Sequence, residues 1–240
     1  MRSVAAISST GSVRLHNEDC VSVFGEIIRE GVLRKFAPIL QYELLLIADG
    51  MGGHAKGEVA SRLAVKALNN LAPKMRSTAG CVNALRTVNR QLYAAMDEDE
   101  TLRGMGTTVV GTLIHNSHAI WFNVGDSRAY ILRETFQQLS VDHVPEWNRT
   151  SGHRRSHAIT QSLGGSVGFA KLDPAIGAVK LSDGDTILLC SDGLTDVLTD
   201  EEIAMALRNE NAADMSVRNL LDTVMSKGAH DNVSIIVASA

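Results

Sequence analysis

Three apolar runs in this chain stop beside an aspartate next to a glycine, and a fourth aspartate directly precedes another such run. Leu44 to Ala48 meets Asp49-Gly50, Phe122 to Val124 meets Gly125-Asp126, and Ile187 to Ser191 meets Asp192-Gly193. Asp231-Asn232 stands before Val233 to Ala238. A carboxylate beside a buried strand lies at the rim of a core, where burial penalises an unpaired charge. One Asp-Gly pair is ordinarily a turn. If the four strands are neighbours, however, their carboxylates converge, and repulsion raises their pKa values unless cations neutralise them. Clustered carboxylates without cysteine or paired histidine ligands suit hard ions, magnesium or manganese. His115-x-x-His118 has a ligand-like spacing, but it lies between two apolar runs and reads as a polar turn.

The strand signature, β-branched and aliphatic residues bounded by Gly, Asp and Asn, covers residues 44–48, 107–114, 119–124, 128–132, 186–190 and 233–238. The runs 119–124 and 128–132, joined by Gly125-Asp126-Ser127, read as a hairpin. Helical spacing appears twice in succession. Val59, Leu63, Ala67 and Leu71 recur at one-turn intervals, and Val82, Leu85, Asn89, Leu92 and Met96 do nearly the same, with one polar exception. Such a pair suggests one layer lying on a sheet. Thr199-Asp200-Glu201-Glu202 has the form of a capping box opening a short helix, and Val217, Leu220, Leu221 and Val224 mark a last amphipathic stretch. Clustered strands with paired helices argue for an α+β fold, not regular alternation.

The 240 residues contain no low-complexity tract, internal repeat or Pro/Gly/Ser-rich linker, so residues 1–240 are expected to form one domain. A chain of this length buries roughly 70% of its unfolded surface and needs no disulfide to hold a core. Cys20, Cys81 and Cys190 are odd in number and far apart, which does not make a disulfide framework. The net charge of −4 argues against a general nucleic-acid binder. No signal peptide is read at the start, and no run of about 18 apolar residues offers a membrane span. A cytoplasmic location is the resulting expectation.

At these aspartates the sequence resembles the metal-dependent protein phosphatases of the PPM or PP2C family, in their compact bacterial form. The matching segments are Arg14-Leu15-His16-Asn17-Glu18-Asp19, Ala48-Asp49-Gly50-Met51-Gly52-Gly53-His54 and Gly104-Met105-Gly106-Thr107-Thr108. They continue with Val124-Gly125-Asp126-Ser127-Arg128-Ala129-Tyr130, Cys190-Ser191-Asp192-Gly193-Leu194-Thr195-Asp196 and His230-Asp231-Asn232-Val233-Ser234. Six weak motifs in the family's order make a strong match covering essentially the whole chain. The resemblance implies two packed antiparallel sheets with a pair of helices outside each, and metals at one end. It implies that Asp49 bridges two ions, with the Gly50 carbonyl as a second ligand of one. Asp192 and Asp231 would hold the other, Glu18 would act through water, and Asp126 with Asp192 would form a weaker third site. Arg14 matches the arginine that grips the substrate phosphate.

The implied cofactors are two Mn2+ or Mg2+ ions, with a possible third. The implied partners are phosphoproteins and a cognate Ser/Thr kinase, with no nucleic acid and no membrane, and the chain is expected to be a monomer. Two cations about 4 Å apart lower the pKa of a bridging water and screen the phosphoryl oxygens during in-line attack. The expected chemistry is therefore hydrolysis of phosphoserine and phosphothreonine by metal-bridged hydroxide, without a phosphoenzyme. Arg14 offers two parallel donors to phosphate oxygens; outside the motif it would read as a surface ion pair with Glu18. Gly52 and Gly53 lack the Gly-Lys-Ser/Thr ending of a P-loop and are expected to bend the backbone that presents the Gly50 carbonyl. Thr107 and Thr108 read as structural strand residues beside the site. Asn232 either orients Asp231 or makes a plain turn.

Two departures stand out. Met51 occupies the place where animal members carry a histidine, so the proton donor to the leaving alkoxide is unassigned among His16, His54, His230 and water. Only residues 144–161 precede Ser162-Leu163-Gly164-Gly165, a short flap similar to that of phosphatases accompanying type VI secretion kinases. The stretch 142–161 carries Arg149, Arg154 and Arg155 with His153 and His157, and is expected to attract acidic phosphoprotein segments. Three competing readings are a PP2C-fold phosphoprotein-binding module with a weak or dead site, a nucleotide hydrolase, and a structural domain with turn aspartates.

Overall fold

A computed structural model describes residues 2–37, 42–52, 55–146, 158–210 and 212–239. The strands in chain order are β1 (Arg2–Ser9), β2 (Cys20–Val23), β3 (Glu26–Ile28), β4 (Gly31–Ala37), β5 (Glu43–Ala48), β6 (Gly50–Met51) and β7 (Gly106–Thr107). They continue with β8 (Val109–His115), β9 (His118–Val124), β10 (Arg128–Leu132), β11 (Phe136–Gln138), β12 (Leu163–Gly164), β13 (Ala175–Lys180), β14 (Thr186–Cys190) and β15 (Val233–Ser239). The α-helices described are α1 (Ala55–Leu71), α2 (Thr78–Glu98), α3 (Asp192–Thr195), α4 (Asp200–Arg208) and α5 (Ala213–Ser226).

Among the described residues, one six-stranded antiparallel sheet has the order β11-β10-β14-β15-β1-β4 and a second β13-β9-β8-β5-β2-β3. Their central strands are apolar on both faces, which is why they read as continuous runs instead of alternating ones. In β5, Leu45 and Ile47 point into the layer between the sheets, while Leu44, Leu46 and Ala48 meet α1 and α2. In β14, Ile187 and Leu189 face the same middle layer, and Leu188 and Cys190 face the cluster built with α4 and α5. The outcome is the expected α+β arrangement of helices, sheet, sheet and helices. The capping box opening α4 is present, with Thr199 and Glu202 each accepting from the other's backbone N–H. The three cysteines are buried free thiols.

Three local expectations change. The runs 119–124 and 128–132 do not form a hairpin: β9 belongs to the second sheet and β10 to the first. Gly125-Asp126-Ser127 is the crossover between sheets, and β9 instead pairs with β8 across the turn at Asn116-Ser117. The run 107–114 breaks at Thr108, because Gly106–Thr107 leaves the second sheet to pair with β6 and β12 in a small third one. In α1 the buried face is Ala60, Ala64, Val65 and Leu68, whereas Leu63 is 36% exposed. Alanines let the helix lie close to the sheet. The stripe Leu63, Ala67 and Leu71 turns toward α2, where it lines a groove of about 390 Å³ with Val88 and Leu92.

The polar exception in α2 has a role. Asn89 is buried, accepts the Gly164 N–H at 2.9 Å and donates to the Ala170 carbonyl at 3.1 Å, fastening the segment after the flap to the helix. Residues 147–157, with Arg149, His153, Arg154, Arg155 and His157, lie outside the described residues, as do Gly53 and His54.

Candidate metal centre

The strand pairings bring the acidic residues together. Cys20 of β2 sits opposite Ala48 of β5, so Glu18, just before β2, and Asp49, just after β5, reach the same rim of the second sheet. Cys190 of β14 sits opposite Ile235 of β15, which places Asp192 and Asp231 together on the first sheet. Asp126 comes from the crossover. Glu18, Asp49, Asp126, Asp192 and Asp231 all line one cleft of about 530 Å³, with Arg14 and Gly50. The residues that the resemblance assigns to metal or phosphate therefore all line a single cavity.

Backbone contacts hold these positions. Asp49 donates its N–H to Thr108 Oγ1 at 3.2 Å, and its carbonyl accepts from Thr107 Oγ1 and the Thr108 N–H, both at 2.8 Å. The two threonines thus position Asp49, Thr107 from β7 and Thr108 from the break between β7 and β8. The Gly50 N–H reaches the Glu18 carbonyl at 3.2 Å. The glycines of the Asp-Gly pairs serve close approach, not turn geometry. A Cβ on Gly50 would fall 2.2 Å from the Gly57 carbonyl oxygen, and one on Gly193 would fall 2.0 Å from that of Asn232. Asn232 does more than orient its neighbour. Its Oδ1 accepts the Glu18 N–H at 2.9 Å, and its Nδ2 donates to the carbonyls of Thr10 and His16 at 2.9 and 3.0 Å.

Asp19 is the residue that sequence reasoning missed. It is buried, accepts from Ser191 Oγ at 2.9 Å, and its Oδ1 has no hydrogen-bond partner among the described residues. Burial, with the carboxylates of Asp192 and Asp231 nearby, pushes its pKa up to about 7. The available signal was the one used for the other aspartates: a carboxylate directly before a buried strand, here β2. Asp49 keeps some exposure toward the cleft, but burial raises its carboxyl well above the usual range, reinforced by Asp19, Asp192, Asp126 and Asp231.

Arg14 donates to Asp231 Oδ2 at 2.6 Å, with the charge of Glu18 also nearby. That hydrogen bond is the main cause of its raised pKa, although its side chain remains 56% exposed. Among the described residues lining the cleft, Arg14 is the one arginine or lysine beside five carboxylates. Among the described residues the carboxylates line an open cleft and do not close into a cage of three or more around one point. The donor set of the described lining still fits hard divalent cations: its carboxylates and the Gly50 backbone offer oxygen ligands, with negative charge in excess. Of the histidines considered, His16 lines the cleft, His230 is exposed outside its lining, and His115 and His118 flank a β-turn. His143 is structural: it is buried, and its Nδ1 accepts the Gly125 N–H at 3.0 Å, fixing the crossover.

Among curated relatives, the serine/threonine protein phosphatase PstP of Mycobacterium tuberculosis is 34% identical over 98% of this chain and 44% of its own length. This chain thus spans less than half of that protein. The serine/threonine phosphatase stp of Listeria welshimeri is 31% identical over 95% of this chain and 91% of its own. The catalytic domain of PstP in complex with two manganese ions superposes with a TM-score of 0.80 at 32% identity, covering 100% and 99% of the two chains. PppA, a regulatory component of type VI secretion in Pseudomonas aeruginosa, gives 0.81 at 29% identity, covering 100% and 97%. The model of protein phosphatase 2C matches residues 39–234, a span that takes in Asp49, Asp126, Asp192 and Asp231, and on that match this chain belongs to the protein phosphatase 2C family.

Proposed function

We propose that this chain hydrolyses phosphoserine and phosphothreonine on proteins and so reverses the action of a Ser/Thr kinase, with residues 1–240 acting as one phosphatase domain. The observation that carries the reading is the cleft itself: five carboxylates delivered from both sheets and their crossover, beside one arginine able to bind phosphate. Asp49, the Gly50 carbonyl, Asp192 and Asp231 would hold two manganese or magnesium ions, with Glu18 acting through water and Asp126 serving a weaker third site. Such ions supply acidified water and screen the charge of the phosphoryl oxygens.

The chain's own residues do the rest. Arg14, at the mouth of the cleft, presents a planar fork to two phosphate oxygens and so orients phosphorus as well as binding it. Asn232 holds the backbone on both sides of Arg14 through Thr10 and His16. Thr107 and Thr108 fix Asp49 on the opposite wall. The oxygen of water bonds to phosphorus as the bond to the seryl or threonyl oxygen breaks, and the products are inorganic phosphate and the free hydroxyl. No nucleophilic side chain is required.

Phosphate release from a phosphothreonine peptide tests this reading. Turnover is expected with manganese and should vanish on chelation. Metal-independent release, or none at saturating manganese, would overturn it.

A further inference from the structure

Two of the most exposed apolar side chains on the described surface flank Arg14. Leu15 is 90% exposed and Val13 is 59% exposed, and both line the catalytic cleft. Single exposed apolar residues are ordinary on a protein surface, whereas a group of them rimmed by polar residues marks a contact site. Here the rim is Arg14, His16 and the carboxylates of the cleft.

The exposure belongs to a held loop. The Ser12 N–H is bound to the Ala229 carbonyl at 3.0 Å, and Asn232 Nδ2 holds the carbonyls of Thr10 and His16. Gly11, at φ +77°, packs so closely that a Cβ would fall 2.2 Å from the Asp231 carbonyl oxygen. With its backbone fixed before and after the apolar pair, the loop has little ordering entropy left to lose on binding.

We propose that Val13 and Leu15 form a subsite for an apolar side chain immediately next to the phosphorylated residue of the substrate. The inference rests on the phosphatase reading and specifies its substrate class. Val13 and Leu15 line the same cleft as Arg14 on either side of it. A substrate whose phosphate meets Arg14 would lay the residues next to its phosphorylated one along that rim. Burial of part of a leucine or valine against them favours apolar-flanked phosphopeptides by about five- to tenfold in kcat/KM.

The test compares two phosphothreonine peptides of equal charge, one flanked by leucines and one by serines, with a small aryl phosphate as third substrate, all with manganese. The wild type should prefer the leucine-flanked peptide, and Val13→Ser/Leu15→Ser should hydrolyse both peptides alike. Leu15→Met, which stays apolar, should retain the preference. Because Leu15 is exposed, Leu15→Gln disturbs no core and replaces the double variant if that one does not fold; it should reduce the preference. Equal wild-type rates on the two peptides, or a preference that persists in the polar variants, would overturn the subsite while leaving the phosphatase reading standing. Failure of the wild type on all three substrates would overturn that reading, and the subsite with it.

Discussion

Asn232 accepts the backbone N–H of Glu18 at 2.9 Å, joining the loop before the last strand to the loop before the second. The same side chain holds Thr10 and His16, so one buried amide fastens both ends of the segment carrying Arg14. Asn232→Ala leaves those partners without it, a loss of about 1–3 kcal/mol for a buried polar network. The melting temperature should drop by several degrees, and KM for a phosphopeptide should rise more than kcat falls. An unchanged KM with a reduced kcat would show that the amide serves Asp231 instead of the Arg14 loop.

Asp49→Asn and Asp192→Asn should each lower phosphate release at least a hundredfold at saturating manganese, because on the proposed reading each removes an anionic ligand while an amide fits the same space. For Asp49→Asn there is a second expectation. Its carboxyl is held well above the normal range by burial and by four neighbouring carboxylates, so the metal-free variant should melt no lower than the wild type. Wild-type activity in either variant would remove the central claim, as read by activity and calorimetric manganese titration together.

Arg14→Ala should lower kcat/KM by about ten- to a hundredfold through loss of charge-assisted bonds to phosphate. The ion pair with Asp231 is exposed, so its loss should hardly change the melting temperature. Manganese affinity should stay the same or rise slightly, since Asp231 loses a competing cation. If titration shows manganese binding lost with KM intact, Arg14 supports the ligands and does not grip substrate.

The metal-free fold should weaken as pH rises from about 4 to 7. Asp19 keeps its proton up to about pH 7 in the native state, whereas an unfolded aspartate loses it near pH 4. Across that window the native state binds more protons than the unfolded one, so stability falls with rising pH. On the proposed reading manganese in the cleft would disfavour those protons, and the rise in melting temperature it causes should be larger at pH 7.5 than at pH 5.5. Asp19→Asn should flatten the metal-free slope. Equal manganese effects at both pH values would show that the ions neutralise something other than these carboxylates.

Legibility followed the physical signal at each element. Residues 44–48 and 187–190 were readable because they are buried on both faces and uninterrupted by polar residues. β1 escaped because its small and polar residues, Ala5, Ala6, Ser8 and Ser9, make no sustained apolar run. The aspartates beside Gly50, Gly125 and Gly193 marked the cleft without revealing that Gly125-Asp126-Ser127 changes sheets, since a crossover and a hairpin turn use the same residue types. Periodicity found α1 but chose the face that meets α2, because the face toward the sheet is rich in alanine. Asp19 shows the clearest gap: its neighbour Glu18 was recognised, yet burial, which distinguishes the two, depends on the tertiary fold.

The crossover at Asp126 also bears on motion. Glu18 and Asp49 stand on one sheet, Asp192 and Asp231 on the other, and the polar links across that rim include Ser191 Oγ donating to Asp19 and Asn232 accepting the Glu18 N–H. A cation held from both sides, as proposed, would add a further buckle between the halves of the sandwich. Without it, repulsion across the seam favours breathing of the strand ends that meet there. Hydrogen exchange at the cleft ends of β5 and β14 should then slow together as the site fills, making ion occupancy a control on local opening as well as on chemistry.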